Sequence, residues 1–342
     1  MTHRVAVIGL GYFSKFHLDA WMSFEGVDVV GATDLRSERK TWAQENYGIP
    51  VFDNTHSLLA TQPDIVDIVA PPQAHARLLR AVEHPGRVVI CQKPFCTTLD
   101  EAQSAAAAAD RAEMAVLVHE NFRFQPWYRT IKCVLDGETL GDVYQARFAL
   151  RPGDGRGQDA YLSRQPVFQT MPRLLIHETG VHFIDLFRWL FGEIDAVYAD
   201  LKRLNPVIAG EDAGQLVLDH ASGVRSIFDG NRLSDHATDN PRRTMGEFEI
   251  EGTKGTLYLD GQGQVWMREF GSQTRTPVAL TAPVDDTSFG GGCVAALNRH
   301  VIDALEGKRP FENTVADYLP VIAVKDAAYL SAQDARKIQL KE

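Results

Sequence analysis

Short apolar runs alternate with segments of helix length over the first part of the chain, up to about residue 121. The runs are RVAVIGL, VDVVGATD, DIVDIVAPP, RVVICQK and MAVLVHE. Apolar strands that alternate with helices are typical of a parallel sheet covered by helices on both faces. The clearest helix start is in TTLDEAQSAAAAADRA, where Thr98 and Glu101 have the spacing of a capping box. We therefore predict an α/β domain with a doubly wound parallel sheet over residues 1–122.

The pattern changes after Pro126, where apolar and polar residues alternate with a period of two. In DVYQARFALR, alternate residues from Tyr144 to Leu150 share one strand face, and GQLVLDHASGVRSIFDG is typical of two strands joined by a turn. Helical patterns interrupt these strands at residues 177–191, 293–306 and 316–331. We predict a C-terminal α+β domain over residues 123–342, with helices on one face of a mostly antiparallel sheet.

The second face of such a sheet also needs a cover. A second copy of the same sheet is the simplest one, so we predict a homodimer or homotetramer that forms through the C-terminal sheet. The sequence contains no internal repeat, no charge block and no linker rich in proline or serine.

Composition and charge exclude several classes of function. The 342 residues are 44% hydrophobic and 23% charged, which is ordinary for a globular protein. A net charge of −10 argues against nucleic acid or an anionic membrane as a partner, and no segment approaches the ~18 apolar residues of a transmembrane helix. The four cysteines are scattered, so neither a disulfide framework nor a metal site is expected. Without a secretory signal pattern, a reducing cytoplasm is favoured.

A glycine-rich turn follows the first apolar run. Gly9, Gly11 and Ser14 fit a Gly-x-Gly-x-x-small pattern ahead of a helical segment. Such a turn lets backbone amides at a helix N-terminus approach a pyrophosphate. We predict a dinucleotide site here that also includes Tyr12 and Phe13.

The next apolar run ends at Asp34. From this position a carboxylate binds the ribose 2′-hydroxyl of NAD and repels the 2′-phosphate of NADP. We expect NAD, although Arg36 and Arg39 are close enough in sequence to weaken the preference over NADP. Further cofactor contacts are expected at Pro71, Pro72, His75, Gln92, Lys93 and Asn121.

A lysine stands where another apolar run ends. In VVICQKPFC, the buried-strand pattern of Val88–Cys91 continues directly into Gln92, Lys93 and Pro94. An ammonium group at the end of an apolar strand is costly to desolvate, and ligands of a doubly wound sheet bind beyond the carboxyl ends of its strands. Because Pro94 restricts Lys93 to extended geometry and ends the strand, we predict that Lys93 faces the cofactor crevice. The alternative is a lysine that extends to solvent.

A cluster of ionisable residues occurs in LLIHETGVHFIDLFRWLFG. Glu178 and His182 have i,i+4 spacing and Asp185 follows, so the three share one face of a predicted helix. Such a face is typical of a functional site, so we take Glu178 and His182 as candidate functional residues. The spacing between His177 and His182 is one residue too long for a zinc site on one helix face, so we expect no metal. A surface ion pair on an amphipathic helix would give the same pattern.

Polar and aromatic residues follow the last strand of the first domain in HENFRFQPWY, at the predicted domain junction. Ligand clefts form at such junctions, although packing between domains would explain the aromatic residues equally well. Candidate substrate contacts are Lys93, Arg123, Trp127, Tyr161, Arg164, His182 and Asn231.

With these segments identified, the chain resembles the glucose-fructose oxidoreductase, inositol dehydrogenase and rhizopine-catabolism (Gfo/Idh/MocA) family over essentially its whole length. The matching segments are GLGYFSKFH, DIVDIVAPPQAHARL, CQKPF and ETGVHFIDLFRWLFG. The resemblance implies a Rossmann domain followed by a domain with a large open sheet, and NAD(P)-dependent oxidation of a sugar or polyol hydroxyl. The family's catalytic lysine falls on Lys93, its histidine on His182 and its partner carboxylate on Glu178.

Two residues depart from the family pattern. Gln92 stands where the family usually has glutamate, which removes a negative charge beside Lys93, and Glu178 stands where it usually has aspartate. The longer arm of Glu178 leaves open whether Lys93 or His182 removes the proton of the substrate hydroxyl.

Three further segments, HENFRFQPWY, DAYLSRQPVFQTMPRLL and RLNPVIAGEDAG, resemble a branch of the family that oxidises the branched pentose D-apiose at its anomeric carbon to a lactone. The family also includes sugar sensors that bind a dinucleotide without turnover, and redox-neutral glycoside hydrolases that oxidise their substrate transiently with NAD. The presence of both Lys93 and His182 argues against a sensor.

Overall fold

The computed structural model describes residues 2–340, which group into two compact units. The first unit is the chain up to Glu120 together with Val294–Ile322, and the second is Asn121–Cys293 together with the chain from Ala323 onward. Among the described residues, no helix combines the length and the hydropathy needed to cross a bilayer.

A six-stranded parallel sheet forms the centre of the first unit. Its strands are β1 (His3–Ile8), β2 (Val27–Thr33), β3 (Val51–Phe52), β4 (Ile65–Ile68), β5 (Val88–Gln92) and β6 (Ala115–His119). They lie in the order β3-β2-β1-β4-β5-β6. The chain therefore winds outward in both directions from β1 and β4, and the carboxyl ends of these two strands mark the point where such sheets bind ligands.

Helices follow the strands of this sheet and cover it. They are α1 (Ser14–Met22), α2 (Ser37–Tyr47), α3 (Thr55–Leu59), α4 (Pro72–Ala81) and α5 (Leu99–Arg111). At α5, the Thr98 hydroxyl accepts a hydrogen bond from the Glu101 amide at 3.2 Å, as the capping box predicted. The Glu101 carboxylate accepts from the Thr97 amide at 2.8 Å rather than from Thr98. The doubly wound α/β fold is confirmed.

A nine-stranded sheet forms the centre of the second unit. Its strands are β7 (Val143–Leu150), β8 (Ile194–Lys202), β9 (Ala213–His220), β10 (Arg225–Asn231), β11 (Gly246–Gly252), β12 (Gly255–Leu259), β13 (Val265–Glu269), β14 (Thr276–Val278) and β15 (Ile338–Gln339). Their order is β14-β13-β12-β11-β7-β10-β9-β8-β15. All neighbours are antiparallel except β7 and β10, which are parallel. The predicted large, mostly antiparallel sheet is confirmed.

Two helices, α6 (Pro126–Asp136) and α7 (Val181–Phe191), pack on one face of this sheet through aromatic side chains. Phe183 of α7 stacks on Phe148 of β7 with ring centroids 4.0 Å apart, and Tyr128 of α6 meets Phe248 of β11 edge to face. Burial of large aromatic rings is a major contribution to a core of this kind. Two more helices, α8 (Cys293–Leu305) and α9 (Val315–Asp334), agree with the helical patterns in the last third of the sequence.

Candidate active site

The glycine-rich turn joins β1 to α1. Gly9 has φ of +97°, and a Cβ atom on it would lie 2.5 Å from the Val69 carbonyl oxygen, so a side chain cannot be accommodated there. Gly11 faces open space, since no atom lies within 4 Å of where its Cβ would be. The buried Ser14 hydroxyl donates to the Gly11 carbonyl at 2.7 Å and closes the turn.

Two aromatic residues of the turn lie at its surface. Tyr12 is 43% exposed, and its ring meets Phe16 edge to face. Phe13 precedes the first residue of α1, is half-buried and packs against the ring of His17.

Asp34 lies just after β2 and is held by the turn. Its carboxylate accepts from the amides of Leu10 at 2.7 Å and Arg36 at 2.9 Å. Burial opposes ionisation, but these hydrogen bonds and the Arg36 guanidinium outweigh it and hold the pKa of Asp34 below its ordinary value. Arg39 donates to the carbonyls of Leu10 and Gly11. Arg36 and Arg39, which weakened the predicted preference for NAD, are therefore both hydrogen-bonded to residues of this region.

Lys93 follows the carboxyl end of β5 and is half-buried. Its backbone N–H donates to the side-chain oxygen of Gln92 at 2.8 Å. Gln92 is buried, and its nitrogen Nε2 lies 3.0 Å from Nε2 of His17. The peptide bond between Lys93 and Pro94 is cis.

A buried polar group that the sequence analysis missed lies next to Gln92. His17 of α1 and Trp21 of α1 both place a ring nitrogen 2.7 Å from the same oxygen of Asp67, in β4. None of these three side chains has exposed surface. The only signals in the sequence were a carboxylate inside the apolar run DIVDIV and a histidine within a predicted helix.

The residues expected near the cofactor after β4 have distinct surroundings. Pro71 precedes α4 and is exposed, and Pro72 is the first residue of that helix. His75 is fully buried, with Nε2 2.7 Å from the Ala70 carbonyl. Burial lowers the pKa of His75, although the hydrogen bond to Ala70 acts in the opposite direction.

In the second unit, Asn121 is buried at the start of a 3₁₀ turn, Phe122–Phe124. Arg123, within that turn, forms two hydrogen bonds of 2.6 Å with the carboxylate of Asp185 in α7. Both side chains are buried, so this fork-shaped pair stabilises the packing of the turn against α7. Asp185, predicted to share a face with Glu178 and His182, is thus part of a buried ion pair.

Trp127 of α6 is fully buried. Its ring lies so close to Gly263 and Gly291 that a Cβ atom on either glycine would approach it to 3.1 or 3.0 Å. The indole ring therefore occupies a core position in this structure.

The segment that carries Glu178 and His182 differs from the prediction in its first turn. Leu175–Gly180 is a π-helix, and the α-helix begins only at Val181. Glu178 therefore lies in the π-helix and His182 in the α-helix, so the prediction of one continuous α-helix that carries both residues was wrong. A π turn contains more residues than an α turn, so i,i+4 spacing does not align two side chains there as it does in an α-helix. The His182 ring stacks face to face on Phe122, with centroids 3.9 Å apart and planes within 2°.

Two residues far away in the sequence fix the backbone of this π-helix. The Ile176 amide donates to the carboxylate of Glu211 at 3.1 Å, and the His177 amide donates to the hydroxyl of Tyr329 at 3.1 Å. The Tyr329 hydroxyl itself donates to Glu211 at 2.5 Å. Burial, then the Glu211 carboxylate, raises the pKa of Tyr329, which therefore remains a hydrogen-bond donor. Glu211 lies in the segment RLNPVIAGEDAG, but the sequence did not indicate its structural role.

Tyr161 and Arg164 belong to a cluster around Asp154. The fully buried Arg232 donates to the Tyr161 hydroxyl at 2.7 Å and to Asp154 at 2.8 Å, while Arg164 donates to Asp154 at 3.1 Å. Burial, opposed by Arg232, raises the pKa of Tyr161 to about 12. Arg232 also donates to the Thr179 hydroxyl at 2.7 Å.

Thr179 connects this cluster to Glu178: its hydroxyl accepts from Arg232 and donates to the Glu178 carboxylate at 2.9 Å. Asn231 ends β10 and accepts a hydrogen bond from the Leu233 amide at 2.9 Å. The structure thus links Tyr161, Arg164 and Glu178 through Arg232, which the sequence analysis had not singled out.

Metal and thiol chemistry have no assembled site in residues 2–340. This part of the chain contains no group of three or more histidine, cysteine, aspartate or glutamate side chains that could hold a metal ion. The four cysteines, all within the described residues, form no disulfide bond with one another. Burial raises the pKa of Cys91 and raises that of Cys96 to about 12, so both thiols are protonated at neutral pH.

Comparison with known protein families decides the identity of the chain. Residues 3–120 match the model of an oxidoreductase family with an NAD-binding Rossmann fold, and residues 128–258 match the Gfo/Idh/MocA C-terminal domain. The chain belongs to the Gfo/Idh/MocA family. It is an NAD-dependent oxidoreductase, as the motifs predicted.

Several named relatives match this Gfo/Idh/MocA chain over nearly its whole length. A D-apiose dehydrogenase of Paraburkholderia graminis is 33% identical over 342 aligned residues, covering 98% of this chain and 89% of that protein. A D-apiose dehydrogenase of Rhizobium rhizogenes is 29% identical and covers 98% of this chain and 96% of its own. An inositol 2-dehydrogenase of Rhizobium meliloti is 23% identical, covering 99% and 100%.

Solved structures show the same fold. An oxidoreductase from Agrobacterium radiobacter, crystallised with NAD+, L-tartaric acid and magnesium, superimposes with a TM-score of 0.89 at 28% identity and covers 99% of both chains. The WlbA dehydrogenase from Bordetella pertussis, in complex with NADH and UDP-GlcNAcA, has a TM-score of 0.81 at 22% identity, covering 100% of this chain and 98% of its own. At that identity the second match supports the fold alone.

Proposed function

We propose that this enzyme oxidises a hydroxyl-bearing carbon of a sugar or polyol and transfers the hydride to NAD. D-apiose is the first substrate that we propose, because relatives that match 98% of the chain are named D-apiose dehydrogenases. The observation that carries the proposal is the half-buried Lys93 at the carboxyl end of β5, beside the strands whose ends mark the ligand-binding point of the sheet.

The first unit has features that fit a dinucleotide. The open space beside Gly11 leaves the backbone at the start of α1 accessible to a pyrophosphate, whose charge is favoured at a helix N-terminus. The ionised Asp34 suits a ribose 2′-hydroxyl and repels a 2′-phosphate. Tyr12 and Pro71, both exposed, are proposed as further contacts. When bound, NAD supplies the acceptor of the hydride.

Lys93 and His182 are the proposed acid–base residues. Oxidation removes a hydride from the carbinol carbon and a proton from its oxygen, and the C–O bond becomes C=O. In the proposal, the amine of Lys93 accepts that proton, and His182 donates a hydrogen bond to the substrate. The stacking of His182 on Phe122 fixes the plane of the imidazole ring. Glu178 is the proposed acidic partner of His182, held by the hydroxyl of Thr179.

The test is the formation of NADH by purified protein with a panel of aldoses and polyols that includes D-apiose. Wild type is compared with Lys93→Met and with Lys15→Met as a matched control, since Lys15 is an exposed lysine of the same unit that pairs with Asp19. We expect turnover with one sugar, a loss of kcat of at least about 100-fold in Lys93→Met, and unchanged kcat in Lys15→Met.

Two results would contradict the proposal. Absence of NADH with every sugar and polyol, despite binding of NAD, would exclude dehydrogenase activity on this class. If Lys93→Met oxidises the sugar at the wild-type rate, the proposed reaction stands but Lys93 has no catalytic role in it.

We also propose that two or four copies of the chain assemble through the outer face of the nine-stranded sheet. On this face Val217 of β9 lies opposite Ile227 of β10, and both apolar side chains are half-buried. Tyr198 of β8 is 39% exposed. A sheet face that carries partly exposed apolar side chains is stabilised by a second copy of itself.

The molar mass in solution, measured by light scattering, tests this assembly. Ile227→Arg places a charge at the proposed interface and is expected to give a monomer of about half or a quarter of the wild-type mass. Leu204→Arg changes an exposed leucine outside the strands and serves as the control. A monomeric wild type would overturn the proposal.

A further inference from the structure

The backbone of Lys93 fixes the orientation of the Gln92 side chain. A backbone N–H can only donate, so the atom of Gln92 that lies 2.8 Å from the Lys93 nitrogen is the amide oxygen. The other end of the amide is then the NH₂ group, which can also only donate. It lies 3.0 Å from Nε2 of His17. His17 must therefore present a lone pair, not a proton, at Nε2.

The opposite nitrogen of the His17 ring completes the assignment. Nδ1 lies 2.7 Å from an oxygen of Asp67, and that oxygen also accepts a hydrogen bond of 2.7 Å from the Trp21 indole. A neutral imidazole carries one proton, and since Nε2 has none, Nδ1 donates to the carboxylate. The two contacts of the His17 ring are thus consistent with one neutral tautomer, which carries its proton on Nδ1 and a lone pair on Nε2.

We propose that Asp67, His17 and Gln92 are positioning residues that hold the backbone of Lys93 through this chain of hydrogen bonds. The proposal rests on the proposed role of Lys93 and adds three residues that do not touch the substrate. Asp67, Trp21 and His17 are fully buried, so water does not compete for these hydrogen bonds.

Other ionisable groups also face this chain. The His119 ring of β6 lies with its centroid 4.1 Å from that of His17. Burial raises the pKa of the Cys91 thiol in β5, and Cys96 and then the Asp67 carboxylate add to this effect. Neither group supplies a proton to Nε2 of His17, which is occupied by Gln92.

The chain of hydrogen bonds explains the glutamine at position 92. A carboxylate there would accept from the Lys93 amide with one oxygen but would direct the other oxygen at the lone pair of His17. Two acceptors facing each other repel, unless one proton is taken up between them. Glutamine satisfies both neighbours while His17 stays neutral, and Gln92→Glu is expected to add a proton that the wild type does not bind.

Ring-nitrogen spectra of the full-length protein test the tautomer. In ¹⁵N NMR at neutral pH, with signals assigned through His17→Gln, we expect Nδ1 of His17 to be protonated and Nε2 to be unprotonated. In Gln92→Glu we expect the Nε2 signal to shift toward the protonated form. A protonated Nε2 in the wild type would overturn the proposal whether or not the protein oxidises a sugar.

Kinetics test the positioning of Lys93. In Gln92→Met, which keeps the chain length but removes both hydrogen bonds, we expect kcat to fall about 10- to 100-fold with little change in KM for the sugar. We expect His17→Gln likewise to lower kcat with little change in KM. In Gln92→Glu the added proton should introduce a new ionisation in the pH profile of kcat. A merely structural defect would lower the melting temperature without these two effects.

His220→Gln is the matched control, because His220 is a buried histidine of β9 bonded to the Gly192 carbonyl and the Ser226 hydroxyl in the second unit. If kcat of Gln92→Met equals that of the wild type and the control, the positioning role is overturned. If the wild type itself reduces no NAD, the proposed function fails instead, and the NMR spectra still decide the hydrogen-bond chain.

Discussion

Asp34 is the residue from which we expect discrimination between the two dinucleotides. Replacement by alanine removes the acceptor for the amides of Leu10 and Arg36 and the charge that repels a 2′-phosphate. Hydrogen bonds to charged groups contribute ~1.5–3 kcal/mol, so we expect KM for NAD to rise about 10- to 100-fold in Asp34→Ala. The ratio of kcat/KM for NADP to that for NAD should rise as well. Initial rates with both cofactors measure these changes.

Asp53→Ala is the control for this substitution. Asp53 belongs to the same unit and pairs with Lys40, but its side chain is 94% exposed. A surface pair of this kind contributes little to stability. An unchanged NADP-to-NAD ratio in Asp34→Ala would show that the carboxylate does not select the cofactor.

Individual residues of the candidate site were predictable where the signal is local in the chain. Gly9 and Gly11 precede a helix directly, and Lys93 follows an apolar run directly, so their surroundings are encoded within a few residues. The partners in the hydrogen-bond networks are not local: 50 residues separate His17 from Asp67, and 118 separate Glu211 from Tyr329. Only the folded chain brings such pairs together.

Elements show the same division between local and long-range signals. The strands of the parallel sheet were predicted from their apolar runs, except β3, whose two residues are too few to form a pattern. The parallel pairing of β7 with β10 joins strands that are not adjacent in sequence. The π-helix of Leu175–Gly180 was missed because its hydrophobic positions resemble those of an α-helix, while long-range hydrogen bonds hold its backbone.

The π-helix therefore depends on Tyr329, and Tyr329→Phe tests this dependence. The substitution removes the acceptor for the amide of half-buried His177 and the donor to buried Glu211. Loss of a buried hydrogen-bond partner costs about 1–3 kcal/mol of unfolding free energy. We also expect kcat to fall, because His177 and Glu178 lie on the affected turn. Urea denaturation and initial rates measure the two effects.

Tyr47→Phe provides the comparison for Tyr329→Phe. The Tyr47 hydroxyl bonds to Asp19 at the surface of the first unit, at 2.8 Å, where water can replace it. Equal losses of stability in the two variants would show that the Tyr329 hydroxyl has no special role in the π-helix.

At the scale of the whole molecule, the stability of the fold depends on pH through two buried groups, Asp229 and His220, whose pKa values are lowered. Burial alone would raise the pKa of Asp229, but Arg147 and Arg151 lower it overall. Burial lowers the pKa of His220, although the Gly192 carbonyl and nearby carboxylates oppose this. In both cases the unfolded chain binds protons more readily than the folded chain as the pH falls. Acidification therefore destabilises the fold, through the histidine first and the carboxylate at lower pH.

The contribution of His220 sets an expected slope of stability against pH. Its ordinary pKa is 6.5, and the folded value is lower. Above about pH 7.5 neither state binds this proton, whereas below about pH 6.5 the unfolded chain binds it first, so the free energy of unfolding falls by up to ~1.4 kcal/mol per pH unit. Urea denaturation between pH 5 and 8 should give a smaller slope for His220→Gln than for the wild type. His56→Gln, which removes an exposed histidine of α3, is the comparison variant. Equal slopes in His220→Gln and the wild type would mean that this proton is bound equally in both states.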